Sequence, residues 1–205
     1  MAILFYIPTP PPDPLKIYST DGYLAPIGAE GLWATARNTP GTLTVIIDTA
    51  GGSSPTARTF SSNYYVYRSF LYFDLSALPG GATVTSAVVT VRGFNDASSQ
   101  VCIQQGTQTG TDNSGLVIGD WNAFTGTPFA IFDWITGNDP RNELTFNAAG
   151  ITYVESVAGS VAKFCLREYD KDYSDVAPLG NDKNSMYFSA GMESNQPYIT
   201  IGYTI

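Results

Sequence analysis

The densest set of side chains able to do chemistry lies in Glu168-Tyr169-Asp170-Lys171-Asp172-Tyr173-Ser174-Asp175. Asp170, Asp172 and Asp175 on one loop look like a hard-cation site, because Ca²⁺ takes six to eight oxygens from carboxylates and carbonyls. The segment lacks the Gly and the distal Glu of an EF-hand loop, and Lys171 puts a positive charge inside it. The competing reading is a solvated acidic loop whose Asp side chains cap turns. Paired carboxylates also hydrolyse glycosidic bonds at separations of about 5–9 Å. With 18 Asp and Glu in 205 residues, accidental pairs are expected, so the chain is read as non-catalytic.

Aromatic rings offer a second chemistry. Trp121, Phe124, Phe129, Phe132 and Trp134 crowd one section, and Tyr169 and Tyr173 flank the acidic residues. Sugars stack their C–H faces on exposed rings while polar neighbours fix their orientation. Trp121, Trp134, Tyr169 and Tyr173 are therefore candidate carbohydrate-binding residues. The alternative is that these rings plug the ends of a β-sandwich. Tyr64, Tyr65 and Tyr67 read as one aromatic strand face. Arg68 and Asp74 read as a structural pair or a turn cap.

Composition removes several function classes. The chain has no histidine, which excludes Ser-His-Asp and Cys-His catalysis and imidazole metal sites. Ten Lys and Arg are scattered singly under a net charge of −8, so no basic stripe exists for nucleic acid or for an anionic membrane surface. No stretch approaches the ~20 apolar residues of a membrane helix. The start, MAILFYIPTPPPDPLK, lacks the basic flank and apolar length of a secretory signal. Cys102 and Cys165 are not in a metal-ligand spacing. Each alternates with apolar neighbours on an expected strand, as two core thiols or as a cross-strand disulfide.

These residues must be positioned by strands. In Tyr67–Val91, Leu71, Phe73 and Leu75 alternate with Tyr72 and Asp74, the period of a half-buried strand. Leu78-Pro79-Gly80-Gly81 breaks the chain, and Val84, Ala87, Val89 and Val91 restart an apolar face. Further strands are expected in KIYSTDGYLAP, GLWATARN, TLTVIID, SQVCIQQG, ELTFN, AKFCLRE, SMYFSA and YITIGYTI. Residues 49–63 read as a loop, and residues 106–140 hold only weak strand signals. One helix is expected over Ala148–Val157, capped by Asn147. Residues 1–16 read as a Pro-rich arm with an apolar hook at Ile3–Ile7, and residues 17–205 as a single β-sandwich domain.

Arg68-Ser-Phe-Leu-Tyr-Phe-Asp-Leu-Ser-Ala-Leu-Pro, followed by Ala82-Thr-Val-Thr-Ser-Ala, resembles the core of DNRLRE-type β-sandwich domains. The resemblance extends to Asp21-Gly-Tyr-Leu, to Leu144-Thr-Phe-Asn-Ala-Ala-Gly-Ile-Thr-Tyr-Val, to Phe164-Cys-Leu-Arg-Glu-Tyr-Asp and to the closing segment from Tyr187 to Tyr203. It covers about residues 17–205, with residues 106–140 departing from the pattern. It implies an all-β, two-sheet antiparallel jelly-roll sandwich with one short helix. Such domains occur in surface proteins, beside polysaccharide-degrading modules and in phage particles, with no general catalytic signature. The expected function is a non-catalytic surface or virion structural protein, such as a fibre, tail or capsid-decorating adhesive protein. Its location would be a virion or an extracellular surface, and its partners other subunits held through the arm. The alternative is a carbohydrate-binding module for a polysaccharide. Ca²⁺ is the one cofactor the residues suggest.

Overall fold

The computed structural model describes residues 12–26, 30–39, 43–47, 52–95, 99–135, 137–179, 183–186 and 195–205. The expected hook at Ile3–Ile7 lies outside the described residues. The fold is all-β, and among the described residues the strand pairings are antiparallel. Strand β1 (Leu15–Pro26) pairs through its first half with β11 (Tyr198–Thr204) and through its second half with β2 (Leu43–Ile47) and β4 (Asn63–Asp74). Strand β4 first pairs with β3 (Gly52–Phe60), then with β9 (Val161–Glu168). Strand β5 (Thr83–Asn95) joins β11, β10 (Lys183–Met186) and β8 (Gly137–Thr145), while β10 returns to β3. Beyond β9 lie β6 (Gln100–Gly106) and β7 (Phe124–Asp133).

Hydrogen bonding thus runs round a ring, β1-β11-β5-β10-β3-β4 and back to β1. The all-β, antiparallel class matches the expectation, and because β1 and β4 are long enough to pair in both parts of the ring, the sheet is nearly closed and barrel-like. The six strands of the ring are thus paired on both sides, while among the described residues β2, β7 and β8 pair on one side only.

Two cores flank the layer β2-β1-β4-β9-β6. The main core gathers Leu71, Phe73, Leu75, Val89, Val91, Ile103, Phe164, Ile199 and Ile201. A second lies on the outer face, around Leu24, Val66, Phe70, Tyr72, Trp121 and Cys165. Strand β4 was expected to be half-buried. It is buried on both faces from Arg68 to Phe73, because residues 107–123 and helix α1 (Trp33–Asn38) cover its outer side. That cover contains two 3₁₀ turns, Asn113–Gly115 and Ile118–Asn122. Asp120 braces it internally, accepting from the backbone N–H groups of Thr109 (3.0 Å) and Val117 (3.0 Å) and from the Thr109 hydroxyl.

The signature segment forms two strands joined by a turn, as read. The turn at Leu78–Gly81 closes with Ala82 N–H donating to the Pro79 carbonyl at 3.1 Å, with Gly81 at φ +82°. Val84 and Ala87 have opposite parity yet both are buried. A bulge lies between them, where Gly202 faces Ser86 and Tyr203 faces Val84. A Cβ on Gly202 would meet the Ser86 hydroxyl at 2.5 Å. Phe73 is fully buried, its ring edge-on to Phe164 at 5.8 Å. Phe73→Ala is expected to cost about 3–5 kcal/mol by denaturant unfolding. A loss under about 1 kcal/mol would mean the register is wrong.

Three local expectations are corrected. GLWATARN is not a strand: residues 33–38 form helix α1, which buries Ala36 against the outer core. A helix this short is held by packing rather than by propensity. Residues 49–63 are not a loop throughout, since 52–60 form β3 between β4 and β10. Its Pro55 sits where the register with β10 shifts, so the missing N–H falls at a bulge. The β3–β4 hairpin turns on Ser61 and Ser62, both at positive φ (49° and 64°), which are conformations suited to Asn-Gly. Replacing Ser61-Ser62 by Asn-Gly is expected to stabilise the protein by up to about 1 kcal/mol, read as a raised melting temperature. In residues 106–140, a ten-residue β7 replaces the weak strand signals. Helix α2 (Ala148–Ser156) forms with Asn147 as its cap, whose Oδ1 accepts from Gly150 N–H at 3.1 Å.

Candidate functional site

At Glu168 strand β9 ends and the chain enters a π-turn, Tyr169–Tyr173. Its wide bonds run from Ser174 N–H to the Tyr169 carbonyl and from Val176 N–H to the Lys171 carbonyl. Such turns need their free N–H groups satisfied. The buried Glu168 carboxylate does this, accepting from the N–H groups of Asp170 (3.1 Å), Lys171 (2.6 Å) and Asp172 (3.1 Å).

The turn drives Asp172 into the protein, where it is fully buried. Two guanidiniums grip it. Arg68 donates through Nε and Nη2 to its two oxygens at 2.9 and 2.6 Å, and Arg167 does the same at 2.9 Å each. Arg37 adds a bond to the Asp172 carbonyl at 2.7 Å. The remaining N–H groups of Arg68 reach the carbonyls of Trp121 and Arg37 and the Asn122 side chain, so all five of its donors are used. Arg167 also binds Gln104 and the Asp172 carbonyl. Both arginines stack on rings: Arg68 over Trp121 at 4.3 Å and Arg167 over Phe124 at 4.1 Å. The result is a rivet through β4, β9, β6, α1 and the outer cover.

Burial alone would push the Asp172 carboxyl up, but the Arg68 and Arg167 charges outweigh it and hold the carboxyl well below the usual range. Its contribution to stability is present above its ordinary titration range and lost as pH falls toward the depressed value. Glu168 goes the other way. Burial raises it from 4.5 to about 7, only partly offset by the three backbone donors. Its folded form binds a proton more tightly than the unfolded chain does, so its contribution is complete below about pH 4.5 and lost as pH rises through 7. No histidine titrates in that window. Wild-type stability should fall by on the order of 2 kcal/mol between pH 5 and 8, several degrees in Tm. Glu168→Gln should flatten the slope; an equal slope in both proteins would refute it.

The three candidate metal ligands do not share one task. Asp172 spends both oxygens on arginines. Asp170 accepts from Gln100 N–H at 3.0 Å, and Asp175 accepts from the Trp33 indole at 3.0 Å and lies 3.4 Å from Arg37. Among the described residues, no group of three or more His, Cys, Asp or Glu is gathered for a metal.

Of the four aromatic candidates, two are buried and two are stacked on each other. Trp121 and Trp134 are buried, at 1% and 2% exposure, so neither offers a face to a sugar as placed. Trp121 donates to the Arg37 carbonyl at 3.1 Å and serves the rivet. Tyr169 and Tyr173 are half-buried and stacked on each other, with centroids 5.1 Å apart. Arg68 does not pair with Asp74. Asp74 is exposed and caps the next turn, accepting from Ser76 N–H at 2.9 Å. Cys102 and Cys165 are buried free thiols on neighbouring strands. Burial pushes both up, Cys165 to about 12, which leaves them unreactive at neutral pH.

Arg37, Arg167 and the capping role of Glu168 were missed in the sequence. A signal existed: an arginine inside an apolar strand run, as in Phe164-Cys-Leu-Arg and Tyr65-Val-Tyr-Arg, needs a buried counter-ion. Among the described residues no helix is long and apolar enough to cross a membrane. The chain matches no known family model and no curated protein.

Proposed function

We propose that this chain is a non-catalytic structural protein of a biological surface, with a virion component such as a fibre, tail or capsid-decorating protein as the leading form. One observation carries the reading. Asp172, at the centre of the densest acidic segment of the sequence, is spent on an internal rivet with Arg68 and Arg167. The near-continuous ring of strands suits a load-bearing particle, and the reading takes it as a jelly-roll sandwich whose two layers share β1 and β4. It requires no Ca²⁺, because three arginines already surround the carboxylate that a cation would need.

Association would run through the arm. Ile3, Leu4, Phe5 and Ile7 would each be worth about 1.5–3 kcal/mol if fully buried on a neighbouring subunit. The test is light scattering on the full chain and on a chain lacking residues 1–14. The expected result is a multimer that falls to monomer on deletion. A full chain that stays monomeric at high concentration, with a melting temperature unaffected by the deletion, would count against it.

A further inference from the structure

The geometry points to a binding groove for a neutral saccharide between helix α2 and the start of β7. It has a volume of about 460 Å³, within the range of small-molecule sites. It is not the region of the four aromatic residues discussed above.

The groove is built by a large bulge. Gln105 pairs with Thr125 and Ile103 with Ala130, so Gln104 alone faces residues 126–129. Gly126 makes the excursion possible at φ +74°, and its carbonyl is fixed by the Gln104 amide at 2.6 Å. Bulges of this kind re-aim side chains beside functional sites. The far side of the bulge is tied to the helix cap: Asn147 donates from its amide to the Pro128 carbonyl at 3.0 Å and from its backbone to the Phe129 carbonyl at 2.8 Å. Both walls of the groove are therefore held in register.

The opposite wall is the face of α2 carrying Ala149, Thr152, Tyr153 and Ser156, at i, i+3, i+4 and i+7. The Tyr153 ring is fixed at both ends. Its hydroxyl donates to the Lys163 carbonyl and accepts from Lys163 N–H, and its ring stacks on Phe129 at 5.4 Å. The half-buried Tyr153 ring that lines the groove is thus held in place, with little ordering left for a ligand to impose.

The chemistry of the lining selects the ligand class. Thr125, Thr127, Thr152 and Ser156 supply hydroxyls and Gln105 an amide, and none of the ten lining residues is charged in a chain of net charge −8. An anion would find no cation there, and a cation no carboxylate. A saccharide presents an apolar C–H face to the ring and a rim of hydroxyls that donate and accept, as this lining does. The proposal rests on the surface-protein reading only in expecting that saccharide to sit on another surface.

The test is an array of neutral gluco-, galacto-, manno- and xylo-oligosaccharides beside sialylated and sulfated ones, probed with the intact chain. Wild type should retain at least one neutral class. Ala149→Trp, which fills the groove from an exposed helix position, should weaken binding tenfold or more. Thr152→Val, which removes one hydroxyl, should weaken it about threefold, and both variants should melt like wild type. A blank array, a preference for acidic glycans, or binding untouched by both variants would overturn the proposal. A blank array with a multimer that depends on residues 1–14 would leave the structural role standing and remove only the groove.

Discussion

Asp172→Ala should lower stability by about 3–5 kcal/mol, or roughly 10 °C in Tm for a chain of this length. The reason is what it leaves behind. Arg68 and Arg167 are at 1% and 3% exposure and would lose their shared counter-ion without gaining water. Asp172→Asn should recover little, because the amide group would face guanidinium donors. Adding Ca²⁺ should not restore stability to either variant, and rescue by Ca²⁺ would mean the segment is a metal site after all. Replacing the group together, as Arg68→Met, Asp172→Leu and Arg167→Met, should cost clearly less than the sum of the three single changes, although the carbonyls of Trp121, Arg37 and Asp172 lose donors.

Removing residues 196–205 should abolish cooperative unfolding. Strand β11 is the only link in the ring between β1 and β5 among the described residues, pairing with Leu15–Tyr18 on one side and Thr83–Thr90 on the other. It also carries Ile199 and Ile201, both fully buried in the main core. Those two side chains are worth about 1.5–3 kcal/mol each, and two strand edges would open as well. Together these losses approach the whole stability of an ordinary domain. Circular dichroism of a 1–195 fragment should show no sharp thermal transition. A fragment that melts cooperatively would mean that the ring is not the unit of stability.

What the sequence made legible was local. The alternation in Leu71–Leu75, the Leu-Pro-Gly-Gly break and the Asn147 cap each state their own structure within a few residues, and each appears in the fold. Strand β3 was hidden because Gly51-Gly52-Ser53-Ser54-Pro55 reads as a turn unless β4 and β10 are known to flank it. Its hairpin was hidden because Ser61-Ser62 occupies a turn usually signalled by Asn-Gly. Trp121 looked like a ligand platform because nothing nearby in sequence reveals that it packs under Arg68, fifty-three residues away. The acidic segment misled for the same reason. Four carboxylates close in sequence suggest a common ligand, but the π-turn sends Glu168 to the backbone, Asp170 to β6, Asp172 to the arginines and Asp175 to α1.

The most direct test of the rivet is a double-mutant cycle on Arg167 and Asp172, read by urea unfolding of Arg167→Met, Asp172→Leu and the double variant. Each single change should cost several kcal/mol and the double clearly less than their sum, giving a coupling of about 2–3 kcal/mol. Additive effects within about 0.5 kcal/mol would contradict the rivet and return Asp172 to the pool of available ligands.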